Sequence, residues 1–228
     1  MAPKFEKYQD YVIKDGKLVG EFEQMYQDFD EPWHQTVREE YSSEKTVGIN
    51  LMLRLKNQSG IKNVVELGCG FGNYTARIHQ LGLNVTGLDI SQTAIEKSKK
   101  RHSHFNDGAV GKLQFEVAEF GDFEKLKSLK PDVIVMPEIT WYILDQLDAF
   151  KSFLKKELPD TYLLHMLMTY DPGVQVYGRE FFTNLTEMQK YFGMYYLESG
   201  LVNLSAGGAR TWFLGTWNKE VCNEWNKD

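Results

Sequence analysis

The stretch VVELGCGFGNYT, residues 64 to 75, limits what this chain can fold into more than any other part of it. An apolar, strand-like run enters Gly68, Gly70 and Gly72, and a helix-like segment leaves them. Only glycine lets a backbone turn that tightly and come close to a bound ligand. The spacing is G-x-G-x-G, whereas a dinucleotide fingerprint, G-x-G-x-x-G, needs glycine where Asn73 stands. No Gly-Lys-Ser/Thr follows, so the loop is not a phosphate-binding P-loop either.

Strand-like and helix-like segments alternate from residue 61 onward. Val64 to Leu67, Asn84 to Asp89, Lys112 to Val117, Asp132 to Met136 and Tyr162 to Met168 read as strands. Asn73 to Leu81, Ser91 to His102 and Leu144 to Leu158 read as helices between them. This order predicts an α/β fold, a Rossmann-like, mainly parallel sheet of seven strands with helices on both faces. The helix-like Phe181 to Phe192, then Tyr195 to Leu204 and Thr211 to Trp217, predict an antiparallel C-terminal hairpin at the sheet edge. Before this domain, residues 60 to 228, lie residues 1 to 59. There Asp15-Gly16 marks a hairpin within residues 11 to 22, and Asp30 is placed to cap a long helix that Pro32 begins and that runs through Leu55.

An acid ends the second strand. Asp89 stands where a carboxylate can accept both hydroxyls of an adenosine ribose, and Glu66 can meet an ammonium group directly or through water. Together with the loop they suit a cationic, ribose-bearing ligand without phosphates.

With these residues in place, the segment from about 60 to 218 resembles the class I S-adenosylmethionine-dependent methyltransferases. The resemblance implies S-adenosylmethionine as cofactor, with S-adenosylhomocysteine as product. It assigns Glu66, Gly68, Gly70 and Gly72 to the methionine end, Asp89 with Ile90 beside it to the ribose, and Glu119 with Phe120 to the adenine. Glu119 takes a place where the family more often has Asp. The segment PEITWYI, residues 137 to 143, resembles the family pattern E-x-L-x-H, with Glu138 in the acid position and Tyr142 in the histidine position. Tyr142 then orients or deprotonates an acceptor if its surroundings lower its pKa. Glu138 is either catalytic or a structural carboxylate bonding loop amides.

The segment from 28 to 45 resembles a subgroup that includes nodulation-factor N-methyltransferases and methyltransferases of bacterial capsule building blocks. By that likeness Trp33, His34 and Tyr41 belong to a lid over the site, with His34 a further candidate base. The alternative is a plain amphipathic helix packed on the sheet. Trp33, Trp141 and Tyr142 are expected as aromatic walls. Arg179 either grips an anion or pairs with a helix acid, and His165 is either a substrate contact or a hydrogen-bonded core histidine.

The expected activity is methyl transfer to nitrogen or oxygen of a small polar metabolite, a capsule or surface-glycan precursor with or without a phosphate. The rival reading is a cofactor-binding sensor or interaction subunit without turnover. The chain has 228 residues and a formal net charge of -6, with no dominant basic stripe, which argues against nucleic acid. No apolar run is long enough for a membrane span, and the N-terminus lacks a secretory stretch, so a cytoplasmic place is expected. Two cysteines, Cys69 and Cys222, supply neither a disulfide framework nor a metal cluster.

Overall fold

The two central apolar runs, around Val64 and Ile134, lie side by side in the middle of one twisted sheet. The computed structural model describes residues 3–106, 110–171, 173–205 and 207–225. In chain order its strands and α-helices are β1 (Ile13–Lys14), β2 (Lys17–Leu18), α1 (Phe22–Asp28), α2 (Gln35–Tyr41), α3 (Ser43–Ser59), β3 (Asn63–Leu67), α4 (Asn73–His79), β4 (Asn84–Asp89) and α5 (Gln92–Arg101). They continue with β5 (Leu113–Val117), α6 (Phe123–Ser128), β6 (Val133–Pro137), α7 (Leu147–Glu157), β7 (Tyr162–Thr169), α8 (Leu185–Phe192), β8 (Tyr195–Asn203), β9 (Ala209–Thr216) and α9 (Lys219–Trp225).

The main sheet has seven strands in the order β5-β4-β3-β6-β7-β9-β8. Pairing is parallel from β5 through β7, and β9 then inserts antiparallel between β7 and β8. This is the expected fold, the antiparallel C-terminal hairpin included. Period-two alternation splits the buried side chains between two faces. Val64, Val85 and Val133 meet Leu51, Met52 and Leu55 of α3 and Tyr74 and Ile78 of α4. On the other face, Val65, Leu67 and Ile134 meet Leu147, Phe150 and Leu154 of α7 and Met188 and Phe192 of α8. The chain runs outward from β3 to β5, then crosses back to β6, which opens a crevice at the carboxyl ends of β3 and β6.

The N-terminal segment departs from the expected single helix. Trp33 (φ 67°) and His34 (φ 50°) both adopt left-handed backbone, and extended Ser42 separates α2 from α3. Asp30 is not the cap. Glu31 takes that part, since its Oε1 accepts the Thr36 amide (3.1 Å) and also the Thr36 hydroxyl. The left-handed turn directs Trp33 against Tyr8 and Tyr142, with ring centroids 5.0 and 5.7 Å away. This packing overrides helical periodicity. The expected hairpin is present, with Asp15 (φ 52°) and Gly16 (φ 72°) as its two-residue turn.

Among the described residues no helix is long and apolar enough to cross a membrane, and no side-chain group could hold a metal ion.

Candidate functional site

The glycine loop is tied to the second strand by one carboxylate. Asp89, at the end of β4, accepts the Gly70 amide on Oδ2 (2.8 Å) and the Ser91 amide on Oδ1 (2.9 Å). The Ile90 amide also bears on this carboxylate, whose two oxygens offer about four acceptor positions in all. Burial raises the Asp89 pKa, and these two amides work against that rise. Gly68, Gly70 and Gly72 all have positive φ, and a Cβ on Gly70 would collide with the side chain of Gln35. The loop and α2 are therefore in contact where the loop turns. Gln35 reaches the loop from α2, where its Oε1 accepts the Phe71 amide (2.8 Å).

Glu66 lies buried at the end of β3, where Thr75 donates to its Oε2 (2.6 Å). Burial pushes its pKa up to about 8, against the hydrogen bond from Thr75 and the charge of Lys45. Around it stands a set of charges that the sequence pattern did not reveal. Lys45 pairs with Glu39 (2.6 Å), Arg77 with Glu39 (2.8 Å) and Arg210 with Glu44 (3.0 Å). The Lys45 charge also acts on Glu138. Four carboxyls, Glu39, Glu44, Glu66 and Glu138, thus face three cations. A proton on one carboxyl, or a cationic ligand, balances the set.

Glu138 follows β6 in left-handed backbone (φ 61°), which is unusual for a residue other than glycine. Its amide donates to Met166 (2.9 Å), and its Oε2 accepts the Met168 amide (3.1 Å). Tertiary structure thus holds a strained carboxyl at the mouth of the crevice, a position where strain is often functional. Burial, with the Glu44 charge, pushes its pKa up to about 7.

Tyr142 sits beside it, half-buried, with its ring against Trp33 and against Phe22 (5.4 Å). Burial and then the Glu138 charge raise the phenol pKa, opposite to what a base requires. Trp33, Phe22 and Tyr142 form the aromatic wall. His34 is exposed and meets Tyr8 at 6.0 Å between ring centroids. Tyr41 is 75% exposed on the outer side of α2.

Two expected acceptor contacts belong to the core. Trp141 is buried, donates from Nε1 to Met168 O (3.0 Å) and packs on Phe182. His165 is buried, shares a 2.7 Å hydrogen bond with Thr140 and stacks on Phe213 at 4.8 Å. Burial drives its pKa down to about 3, so it stays neutral. Trp141 from the short 3-10 turn Thr140–Tyr142 and His165 from β7 thus both turn their rings into the core. Arg179 is exposed in the loop after β7, and no described contact connects it with Glu138 or Tyr142.

Next to Asp89, Ile90 is 52% exposed and lines a cavity of about 470 Å3 with Gly20, Phe22 and Glu23. Glu119 is exposed, whereas Phe120 packs against Phe150 at 4.8 Å within the core. Glu23 of α1 accepts the Ser91 and Thr93 hydroxyls, both at 2.6 Å, at the start of α5. Although burial pushes its pKa up, these hydrogen bonds hold it down at about 2. A second cavity, of about 400 Å3, lies at the opposite ends of the strands between Ser59, Asp132 and Tyr162, away from the glycine loop.

Residues 65–157 match a family described as a methyltransferase domain. No curated protein matches the chain in sequence. Among solved structures, the bifunctional kinase-methyltransferase WbdD matches with a TM-score of 0.57 and 18% identity over 77% of this chain. The chain spans about 40% of the WbdD chain's length. Magnesium protoporphyrin IX methyltransferase (ChlM) from Synechocystis PCC 6803, solved with bound SAM, matches with a TM-score of 0.56 and 16% identity, covering 92% of this chain and 89% of that one. At these identities the likeness is one of fold.

Proposed function

We propose that this chain is a class I S-adenosylmethionine-dependent methyltransferase, built around the residues 65–157 that match a methyltransferase domain, and that it moves a methyl group to a nitrogen or oxygen of a small polar metabolite. The observation that carries this reading is the pairing of a positive-φ glycine loop with Asp89 across the Gly70 amide (2.8 Å). The loop leaves no room for a Cβ at its turn, and Asp89 keeps acceptor positions for a ribose.

The residues present fit the cofactor. Glu66 and the excess of carboxyl over cation around Lys45 suit an amino-acid ammonium, the glycine loop suits the methionine end, and Asp89 and Ile90 suit the nucleoside. The bound cofactor supplies an electrophilic methyl group on a sulfonium. The chain's own part is to exclude water, hold the acceptor and remove a proton. Orientation of this kind lowers barriers by up to about 7 to 11 kcal/mol in favourable systems. Trp33 and Tyr142 offer aromatic faces to a developing ammonium. For a hydroxyl acceptor, Glu138 is the better base, because its pKa is pushed up to about 7 while that of Tyr142 rises out of range. Tyr142 is then an orienting phenol. Residues 1–59 act as the lid.

The finer reading is a precursor of a bacterial capsule or surface glycan, with or without a phosphate. The sequence resemblance supports it, and fold likeness to a bifunctional kinase-methyltransferase is in keeping with it. Incubation with methyl-labelled cofactor and a panel of amines, sugars and phosphate esters tests the function. Acceptor-dependent release of S-adenosylhomocysteine is expected; bound donor with no release for any acceptor class contradicts it.

A further inference from the structure

Among the described residues, helix α2 is tied to the domain by polar contacts. Its apolar side chains, Val37 and Tyr41, are 59% and 75% exposed. Its neighbours differ, since α1 buries Met25 and Tyr26 against Tyr11 and Phe71, and α3 buries Leu51, Met52 and Leu55. Gln35 and Glu39, one helical turn apart, form the inner face of α2. Gln35 Oε1 accepts the Phe71 amide (2.8 Å), and Arg77 of α4 donates to the Glu39 carboxylate (2.8 Å) and carbonyl (3.0 Å). Lys45 of α3 also reaches Glu39 (2.6 Å), and Arg101 of α5 reaches the exposed Thr36 hydroxyl (3.0 Å). Both ends of the helix are joints. His34 precedes it in left-handed backbone, and extended Ser42 follows it. Beyond the joints the chain is fixed, with Trp33 packed on Tyr8 and Tyr142 at 5.0 and 5.7 Å and Ser42 Oγ held by Arg210 (3.1 Å).

Consecutive amides of the glycine loop are therefore held from two sides, Gly70 by Asp89 (2.8 Å) and Phe71 by Gln35. The Gln35 side chain also fills the room that Gly70 leaves by having no Cβ. An element with exposed apolar residues and hydrogen bonds near solvent opens at lower cost than one packed in a core. We propose that α2 is the gate of the cofactor site: it swings about His34 and Ser42 while α1 and α3 stay packed, the Gln35–Phe71 hydrogen bond latches it shut, and S-adenosylmethionine and its product pass only while it is open. The assignment rests on the cofactor being bound at the glycine loop. A gate stands before entry and exit alike, so weakening its latch speeds both in proportion and leaves the affinity unchanged. A residue that merely gripped the cofactor would change dissociation and affinity together.

The test uses the whole protein. Hydrogen exchange without ligand is followed by mass spectrometry, and α2 is expected to exchange about tenfold or more faster than α1 and α3. In Gln35→Ala, exchange over α2 rises by about fivefold, the weight of one ordinary hydrogen bond, while α1 and α3 keep the parent's rates. Stopped-flow tryptophan fluorescence then follows S-adenosylhomocysteine. Association and dissociation both quicken by about fivefold in Gln35→Ala, and the equilibrium constant stays within about twofold of the parent's. Val37→Ala, on the exposed face, leaves both rates unchanged. Exchange over α2 as slow as over α3, dissociation that quickens without association, or rates in Gln35→Ala equal to the parent's overturns the gate. Failure of the parent to bind S-adenosylhomocysteine strikes instead at the methyltransferase reading, because the exchange measurement needs no ligand and still scores the opening of α2.

Discussion

The Gly70 amide donates to Asp89 Oδ2 over 2.8 Å, so the turn after β3 and the acid ending β4 form one hydrogen-bonded unit. Gly70 also has φ 54°, and a side chain there meets Gln35 of α2. Gly70→Ala is expected to destabilise the protein by about 1 to 2 kcal/mol, the cost of left-handed backbone at a residue other than glycine. It should also displace Gln35. Urea denaturation measures the first effect, and an unchanged midpoint contradicts it.

Glu66 gives stability a pH dependence whose sign follows from burial. Its folded pKa of about 8 lies above its unfolded value near 4.5, so between those values the folded state binds more protons. Stability attributable to Glu66 therefore falls as pH rises through that window and levels off above it. The slope is at most about 1.4 kcal/mol per pH unit. Thr75 donates to Glu66, and the charges that face it are Lys45 from α3, Glu39 from α2 and Asp89 from β4. Glu66→Gln keeps an acceptor for Thr75 and should flatten the dependence between pH 5 and 8, measured as urea midpoints against the parent. Parallel curves contradict the assignment.

Cofactor capture should respond to the same proton. An ammonium beside Glu66 favours the carboxylate, so S-adenosylhomocysteine binding should release a proton below about pH 8 and tighten as pH rises toward it. Calorimetry in buffers of different ionisation enthalpy detects the release. No buffer dependence at pH 7 argues that Glu66 does not face the ammonium.

Glu138 and Tyr142 should separate kinetically. With a hydroxyl acceptor the rate is expected to rise through pH 7 as Glu138 loses its proton. Glu138→Gln should lower kcat by about 100-fold or more and remove that limb. Tyr142→Phe should slow turnover less and leave the limb in place. A limb that survives Glu138→Gln assigns the base elsewhere.

Glu23 fastens α1 to the start of α5 through Ser91 and Thr93, both at 2.6 Å. Its folded pKa of about 2 lies below its unfolded value near 4.5, so this contribution is present above pH 4.5 and is lost as pH falls toward 2. Glu23→Gln should loosen α1 from α5 and speed proteolysis between α1 and α2 at neutral pH. Equal cleavage rates contradict the latch.

The sheet was legible because each strand is a short apolar run bounded by turn residues, and Asn84–Asp89 is found as read. Local spacing also located the glycine loop and the acid ending the second strand, which the structure joins through the Gly70 amide and Asp89. What sequence spacing could not carry was anything set by distant packing. The helix expected from Pro32 breaks at Trp33 and His34 because Tyr8 and Tyr142 draw Trp33 inward, and neither contact has a local signature. The charges on Glu39, Lys45, Arg77 and Arg210 come from three helices and the last strand. Burial sets the pKa direction of Tyr142, and burial is a property of the fold. Helix α1 did carry a signal, with Phe22, Met25, Tyr26 and Phe29 at helical spacing, but it is short and lies beside the hairpin.

The most direct measurement is calorimetric titration of S-adenosylhomocysteine into the parent protein and into Asp89→Ala. The account predicts one saturable site in the parent and affinity weakened by about tenfold or more in the variant, which loses a charged acceptor for the ribose hydroxyls. No saturable binding to the parent, or equal affinities for both proteins, contradicts it.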